Sequence, residues 1–195
     1  ALRWIAAEYA ARSLALDIER ATTRIYDLVS TVKRFTYMDR SGSVEPTNIA
    51  QGLIDTVSIL ASKAKAKSVS VSLDVASELP LVPANPGELN QLWSNLLENA
   101  LDAVGDSGHV VASAARDGET VVVRVIDDGP GIPSDVEPRI FDPFFTTKPI
   151  GQGTGLGLDI SRRIVRAHDG QIAVDSHPGR TEFRVILPMG RAVNG

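Results

Sequence analysis

Four stretches of the sequence, in this order along the chain, decide the fold: Asn90–Ala103 (NQLWSNLLENALDA), Asp127–Ile132 (DDGPGI), Arg139–Lys148 (RIFDPFFTTK) and Gly151–Leu158 (GQGTGLGL). The first has the apolar period of a helix. The second follows a run of alternating apolar residues, which predicts a turn at the end of a strand. The third and fourth lie in a long stretch rich in glycine and proline that leads into another predicted helix.

The composition excludes several kinds of protein. The 195 residues are 43% hydrophobic and 23% charged, which suits one or two folded domains. There is no cysteine, and the histidines His109, His168 and His177 lie far apart, so zinc and thiol chemistry are disfavoured. The net charge of −4 favours no nucleic-acid partner. The longest stretch without a charged residue, Pro149–Leu158, is too short to span a bilayer, so we expect no membrane contact.

The N-terminal segment has a heptad pattern. Apolar residues recur at alternating spacings of four and three: Ala7, Ala11, Leu14, Ile18, Ala21, Ile25, Leu28, Val32 and Phe35. This period favours a helix of a dimeric bundle over residues 1–40, although a long amphipathic helix packed on its own domain stays open. Residues 41–47 are predicted to be a linker. Because Ala1 already lies within the segment, we interpret the chain as part of a longer protein.

The rest of the chain predicts one domain over residues 48–190 and a tail over 191–195. Three helices are expected, at about 48–67, 86–104 and 156–168. Strands are expected near 69–75, 109–115, 120–127, 171–176 and 181–187, with a short helical turn within 134–140. Strands and helices do not alternate strictly. We therefore expect an α+β fold, a two-layer α/β sandwich with one mixed sheet covered by helices on one face.

Two asparagines of the first motif share a helix face. Asn95 and Asn99 are four positions apart and so project from the same side of the predicted helix. A carboxamide oxygen suits Mg²⁺, which keeps several waters and takes other ligands from substrate phosphates. On this pattern alone, surface asparagines bonded to neighbouring backbone are the simpler explanation.

The second motif places a carboxylate at the end of a strand. Asp127 could accept a hydrogen bond from the exocyclic amine of adenine, and a site built on that bond would reject guanine. Gly129 and Gly131 carry no side chain that would keep a flat base from the backbone. The alternative is a tight turn in which the aspartate caps its own loop.

The fourth motif favours an anion site. Its glycines lie just before a helix, where free backbone N–H groups attract phosphate. The expected phosphate contacts are Gly153, Thr154, Gly155, Leu156 and Gly157. In the third motif, the phenylalanines Phe141, Phe144 and Phe145 could latch a mobile lid or belong to the core. Arg139 and Lys148 could neutralise phosphate or be solvated surface charges.

Together, the four motifs resemble the N, G1, F and G2 boxes of sensor histidine kinases, within the ATP-binding superfamily that includes gyrase, Hsp90 and MutL. The resemblance covers residues 48 to 188, and DPFFTTK resembles the nitrogen-regulator type. It implies a Bergerat-type fold with ATP and Mg²⁺ as cofactors. It makes Asn99 the metal ligand, Asn95 a phosphate-side contact and Asp127 the adenine contact.

The resemblance also assigns roles outside these three residues. It implies catalytic roles for Asn95, Lys148 and Arg139, and nucleotide contacts from Phe144 and Lys148. Thr181 resembles the threonine that supports the adenine-binding aspartate, although the usual glycine-threonine pair here reads Gly-Arg-Thr. Asp102 departs from the family, since many relatives carry a basic residue there.

The function implied is phosphoryl transfer from ATP to a histidine of a dimeric bundle. Gyrase-like ATPases carry a glutamate base one turn before the metal-binding asparagine, where this chain has Asn95; Glu98 points about 100° away. Hydrolysis is therefore disfavoured. No histidine lies on the heptad helix, so we expect the acceptor helix before Ala1.

The partners implied are a second copy of the chain, joined through the N-terminal helix, and the receiver domain of a response regulator. A cytoplasmic location is expected, with membrane attachment of the full-length protein left open. The alternative is an ATP-binding regulatory module without histidine transfer, such as an anti-sigma-like protein or a degenerate kinase.

Overall fold

The structure, a computed structural model, describes residues 43–149 and 153–190. It contains three helices, α1 (Ile49–Ala66), α2 (Pro86–Ala103) and α3 (Gly157–Ala167). Its strands are β1 (Glu45–Thr47), β2 (Ser70–Val75), β3 (Val82–Ala84), β4 (His109–Asp117), β5 (Thr120–Asp127), β6 (Gln171–His177) and β7 (Arg180–Pro188). The predicted helix over residues 1–40, the tail and Gly151 lie outside the described residues.

The main sheet has the strand order β2-β4-β5-β7-β6, with β2 parallel to β4 and the other neighbours antiparallel. Apolar side chains alternate along the central strands, so one face of the sheet is buried against the helices. Trp93 and Leu96 of α2 are fully buried between the two layers. The predicted mixed-sheet α/β sandwich is confirmed.

Asparagine caps begin the first two helices. The Asn48 side chain accepts a hydrogen bond from the Gln51 N–H at 3.1 Å at the start of α1. At the start of α2, Asn85 Oδ1 accepts from the Gly87 N–H at 3.0 Å, and Pro86 occupies the first turn, where no donor is needed. These local signals explain why the sequence predicted both helix starts.

The small sheet formed by β1 and β3 was not predicted. Its strands pair antiparallel, with Pro46 opposite Pro83, and the Thr47 hydroxyl donates to Ala84 O at 3.0 Å. Proline is tolerated here because each strand of a two-stranded sheet has a free edge. Residues 45–47 therefore form regular structure within the segment 41–47 that was predicted to be a linker.

His168 joins the end of α3 to the start of α2. This buried residue caps α3, and its Nδ1 lies 2.8 Å from Ile164 O, an atom that can only accept. The proton is thus on Nδ1, and Nε2 accepts from the Asn85 N–H at 3.0 Å. This bond fixes the two helices that carry the first and fourth motifs relative to each other. Within the described ranges, no helix is long and apolar enough to cross a membrane.

Candidate functional site

Asn95 connects α2 to the start of α3. Its Nδ2 donates to Gly157 O at 3.1 Å and lies 3.5 Å from Ser161 Oγ. Ser161 is fully buried and donates to the same carbonyl at 2.8 Å. The first and fourth motifs therefore meet, and the amide nitrogen of Asn95 holds the start of α3. The phosphate-side contact predicted for Asn95 stays a prediction.

The Lys148 ammonium brings the third motif to α2. Its Nζ lies 2.6 Å from Asp102 Oδ2 and 3.5 Å from Asn99 Oδ1. Asp102 Oδ1 also lies 2.7 Å from Lys63 Nζ on α1. Burial acts to raise the pKa of Asp102, but its hydrogen bonds to Lys148 and Lys63 hold it below its usual value. The carboxylate is therefore ionised at neutral pH.

Asp127 ends β5 with a side chain that is buried within the fold. The residue is 3% exposed, and its Oδ1 accepts from the Gly129 N–H at 3.0 Å. Burial raises the pKa of Asp127 to about 6, against the lowering effect of that hydrogen bond. At neutral pH the group is still largely ionised, so it can accept a further hydrogen bond from an amine such as that of adenine.

The glycines after Asp127 are required by close packing. A Cβ on Gly129 would lie 2.7 Å from Asp127 Oδ1. Gly131 has a φ of +82°, and a Cβ there would lie 2.6 Å from His177 O. The sequence suggested that these glycines admit a flat base. The structure adds a second reason, because the end of β6 packs against the loop at Gly131.

Thr181 lies directly opposite Asp127 in the pairing of β5 with β7. Its hydroxyl is 3.0 Å from Ser176 Oγ, which in turn accepts from the Ile132 N–H at 2.8 Å. Thr181 is thus a neighbour of Asp127 in the sheet, while its hydroxyl is bonded to the residue that anchors the Gly131 loop. Its predicted support of Asp127 stays a prediction.

The third and fourth motifs pack on each other through backbone. Gly155 has a φ of +67°, and a Cβ there would lie 2.7 Å from Phe144 O. Gly153 approaches the side chain of Thr146, with a Cβ position 3.0 Å from its Oγ1. Phe144 itself has a φ of +65° and is 69% exposed, so it does not belong to the core. Phe141 and Phe145 are half-buried.

The start of α3 offers backbone donors. The helix begins at Gly157 without a side-chain cap, which leaves its first N–H groups available to an anion. Leu156 is buried in the core, so it can contribute only its backbone. Thr154 Oγ1 accepts from the Leu156 N–H at 3.4 Å. The predicted phosphate site over residues 153–157 therefore rests mainly on backbone groups.

Arg139 is not brought to α2. Its guanidinium lies 4.4 Å from the centroid of the Phe145 ring, and its Nε is 3.8 Å from Asp142 Oδ2. Both partners belong to its own segment, and the Arg139 side chain is mostly exposed. The catalytic role predicted for Arg139 stays a prediction that these contacts do not support.

The donors at this site suit Mg²⁺ better than a metal held by protein alone. Among residues 43–149 and 153–190, no group of three or more His, Cys, Asp or Glu side chains could hold a metal ion. Mg²⁺ keeps several waters and takes ligands from substrate phosphates, so a single amide oxygen such as that of Asn99 would be a sufficient protein contact. The role of Asn99 as metal ligand stays a prediction.

Comparison with known proteins identifies the family. Residues 84–191, more than half of the chain, match the family described as histidine kinase-, DNA gyrase B-, and HSP90-like ATPase. The chain belongs to this ATPase family.

The curated relatives of this ATPase-family chain include sensor kinases. It is 31% identical over 179 residues to sporulation kinase E of Bacillus subtilis, a match that covers 90% of the chain and 24% of the relative. It is 35% identical over 199 residues to the sensory histidine kinase/phosphatase NtrB of Rhizobium leguminosarum, covering 90% and 51%. The chain thus spans about a quarter to a half of these relatives, and the predicted relationship to nitrogen-regulator-type kinases is confirmed.

Solved structures of histidine kinases have the same fold as this ATPase-family chain. The catalytic domain of histidine kinase ThkA matches with a TM-score of 0.70 and 29% identity over 76% of this chain and 97% of that one. The complex of ThkA with the response regulator protein TrrA matches with a TM-score of 0.71 and 26% identity over 86% and 49%. The described fold is therefore that of a histidine kinase ATP-binding domain.

Sequence reasoning missed the residues that hold the site together from other elements. These are Lys63 on α1, Ser161 on α3 and Ser176 on β6. Ser161 lies four residues after Gly157, a helix spacing that could have been noticed. Lys63 and Ser176 reach the site only through the tertiary fold, and no local sequence pattern indicates them.

Proposed function

We propose that this chain is the ATP-binding catalytic part of a two-component sensor histidine kinase. It transfers the γ-phosphoryl group of ATP to a histidine on a helix that precedes the chain. The observation that supports this most directly is the convergence of three motifs on α2, where Asn95 contacts the start of α3 and Lys148 reaches Asn99.

Each part of the nucleotide has a chemically matched group. Asp127 accepts the adenine amine, and the first N–H groups of α3 with Lys148 meet the phosphates. Asn99 would hold Mg²⁺, which neutralises phosphate charge when bound. Phosphoryl transfer needs little covalent chemistry from the protein, so positioning and charge are its main contributions.

The geometry around Asn99 favours transfer over hydrolysis. Asn95 occupies the place one turn earlier, and a neutral carboxamide cannot act as a base. Its amide nitrogen is in any case bonded to Gly157 O. Glu98 is exposed on α2. A water-activating carboxylate is thus missing from that helix position, which leaves the γ-phosphate for a protein acceptor.

The histidines of the described ranges are poorly placed as acceptors. His168 is buried as the cap of α3, His177 ends β6, and His109 begins β4 beside Asp128. We propose that residues 1–40 form the second helix of a dimeric bundle and that 48–190 form the catalytic domain. We further propose that a response regulator receiver domain takes the phosphoryl group from the acceptor histidine.

The test is phosphoryl transfer in trans. The chain is mixed with radiolabelled ATP, Mg²⁺ and a longer form of the same protein that carries the preceding helix and an inactivating Asn99→Ala change. We expect acid-labile label on the longer polypeptide and none on this chain. ATP binding without any transfer would favour the regulatory module, and stable label on His109, His168 or His177 would contradict the proposal.

A further inference from the structure

Asp102 forms ion pairs with two lysines from different parts of the domain. Its Oδ1 is 2.7 Å from Lys63 Nζ on α1, and its Oδ2 is 2.6 Å from Lys148 Nζ in the third motif. The three side chains are between 30% and 38% exposed. Partial burial strengthens these ion pairs relative to fully solvated ones, since water screens them less.

Lys148 is held at both ends. A Cβ on Gly153 would lie 3.2 Å from Lys148 Cδ, so the glycine-rich segment packs on the aliphatic stem. The ammonium is fixed by Asp102 and lies 3.5 Å from Asn99 Oδ1. A free lysine side chain samples many rotamers, and much of that freedom is already lost in this arrangement.

The held ammonium keeps the capacity to bind phosphate. It has three donors, of which one is used by Asp102 and one approaches Asn99. Two ammonium groups and one carboxylate leave the cluster of Lys63, Asp102 and Lys148 with a net charge of about +1. The cluster therefore presents a positive charge to an anion at Asn99, with Asp102 as its fixed centre.

We propose that Asp102 is a positioning residue, which holds the Lys148 ammonium beside Asn99 so that it meets the terminal phosphate of ATP. Lys63 holds Asp102 in turn. This inference rests on the proposed function, because it needs the nucleotide phosphates to lie at Asn99. A lysine ordered in advance has less entropy to lose when phosphate binds, and the gain is larger for ATP than for ADP, which lacks the γ-phosphate.

The test measures ATP and ADP affinities by titration calorimetry with Mg²⁺ in four forms: wild type, Asp102→Asn, Lys148→Met and the double variant. Lys148→Met should lower the ratio of ATP affinity to ADP affinity about tenfold, since a charge-assisted hydrogen bond is lost. Asp102→Asn should lower the ratio about threefold, as expected for a loosened partner. The double variant should have the ratio of Lys148→Met alone, because Asp102 acts only through Lys148.

Three further variants separate positioning from bulk charge and from folding. Glu98→Gln removes one negative charge from the exposed side of α2, one turn before Asp102, and should leave the ratio unchanged. Asp102→Glu keeps the carboxylate, so its ratio of ATP affinity to ADP affinity should lie between those of Asp102→Asn and the wild type. Lys63→Met loosens Asp102 without altering α2, so it should also lower the ratio of ATP affinity to ADP affinity. If a thermal melt shows that Asp102→Asn does not fold, Lys63→Met tests the positioning role in its place.

The outcomes distinguish this inference from the function on which it rests. An unchanged or higher ratio of ATP affinity to ADP affinity in Asp102→Asn would overturn the positioning role. So would an equal fall in this ratio when Asp102→Asn is added to Lys148→Met. In either case, ATP binding by the wild type would still support the proposed function. If the wild-type chain bound neither nucleotide, the proposed function and this inference would both fail.

Discussion

The two ends of the candidate nucleotide site are built differently. At the adenine end, Asp127 is buried at the end of a central strand, and its loop is anchored by backbone contacts at Gly131. At the phosphate end, Lys148 is partly exposed and is joined to α2 by its ion pair with Asp102, and the side chain of Phe144 in the same motif is exposed.

This difference shows how each kind of recognition affects the stability of the fold. A buried carboxylate in a sheet is rigid and selective, but its burial opposes folding. At the phosphate end the charged groups stay partly exposed and paired, so their desolvation opposes folding less. Changes at the adenine end should therefore alter selectivity and stability, while changes at the phosphate end should alter mainly binding.

The largest effect is expected from removal of the adenine acceptor. Asp127→Ala should lower ATP affinity by about 30- to 100-fold, the loss of a hydrogen bond to a charged group in a buried site. The same change should remove any preference for ATP over GTP. Titration calorimetry with both nucleotides measures this, and wild-type protein that binds GTP as tightly as ATP would contradict the role of Asp127.

A pair of glycine substitutions sharpens the comparison between the two ends. Both Gly131 and Gly155 have positive φ and a backbone oxygen close to the Cβ position. Gly131→Ala should destabilise the domain by about 2 kcal/mol, since it forces the end of β6 away. Gly155→Ala should change the melting temperature less and lower ATP affinity about tenfold, because it displaces the Phe144 segment at the phosphate end.

The matched control for both is Gly105→Ala, where nothing lies within 4 Å of the Cβ position. It should leave both the melting temperature and ATP affinity close to those of wild type. If Gly155→Ala lowered stability as much as Gly131→Ala without affecting binding, the distinction between the two ends would be lost.

The smallest effect concerns the pH dependence of stability. Burial raises the folded-state pKa of Asp127 to about 6 from its ordinary value of 3.8. For an acid with a raised pKa, the ionised form costs stability above pH 6, and the cost disappears as pH falls below 3.8. Asp127→Asn should therefore stabilise the nucleotide-free domain by about 1 to 2 kcal/mol at pH 7 and by much less at pH 4.

Thermal melts of wild type and Asp127→Asn from pH 4 to pH 8 measure this difference. Asp128→Asn is the neighbouring control, since a backbone hydrogen bond from His109 holds the pKa of Asp128 below its usual value. Its carboxylate supports the fold at neutral pH, so its removal should have the opposite sign. A stability difference for Asp127→Asn that stays constant with pH would contradict the burial effect.

Sequence predicted the parts of this molecule that are set by local periodicity. α2 and β5 were predicted because their apolar residues repeat with the helix and strand periods, and their caps and turns are local. The shared face of Asn95 and Asn99 followed from helix geometry alone. β1 and β3 were missed because their prolines argue against strands unless the sheet has only two of them.

The side-chain clusters of the site could not be predicted in the same way. Lys63, Asp102 and Lys148 come from α1, α2 and a loop, so their meeting depends on how the helices pack and on the path of the chain after the 3-10 turn at Glu137–Arg139. Arg139 shows the converse, since its sequence position suggested a phosphate contact, which stays a prediction, while its guanidinium lies 4.4 Å from the centroid of the Phe145 ring.

The central claim is that Mg²⁺·ATP binds with its phosphates at Asn99. The most direct test is titration calorimetry of ATP against wild type, Asn99→Ala and the control Asn90→Ala on the same helix, each with Mg²⁺ and with a chelator. We predict that the chelator weakens wild-type and Asn90→Ala binding at least tenfold, and that Asn99→Ala binds weakly with little response to Mg²⁺. Unchanged Mg²⁺ dependence in Asn99→Ala would contradict the account.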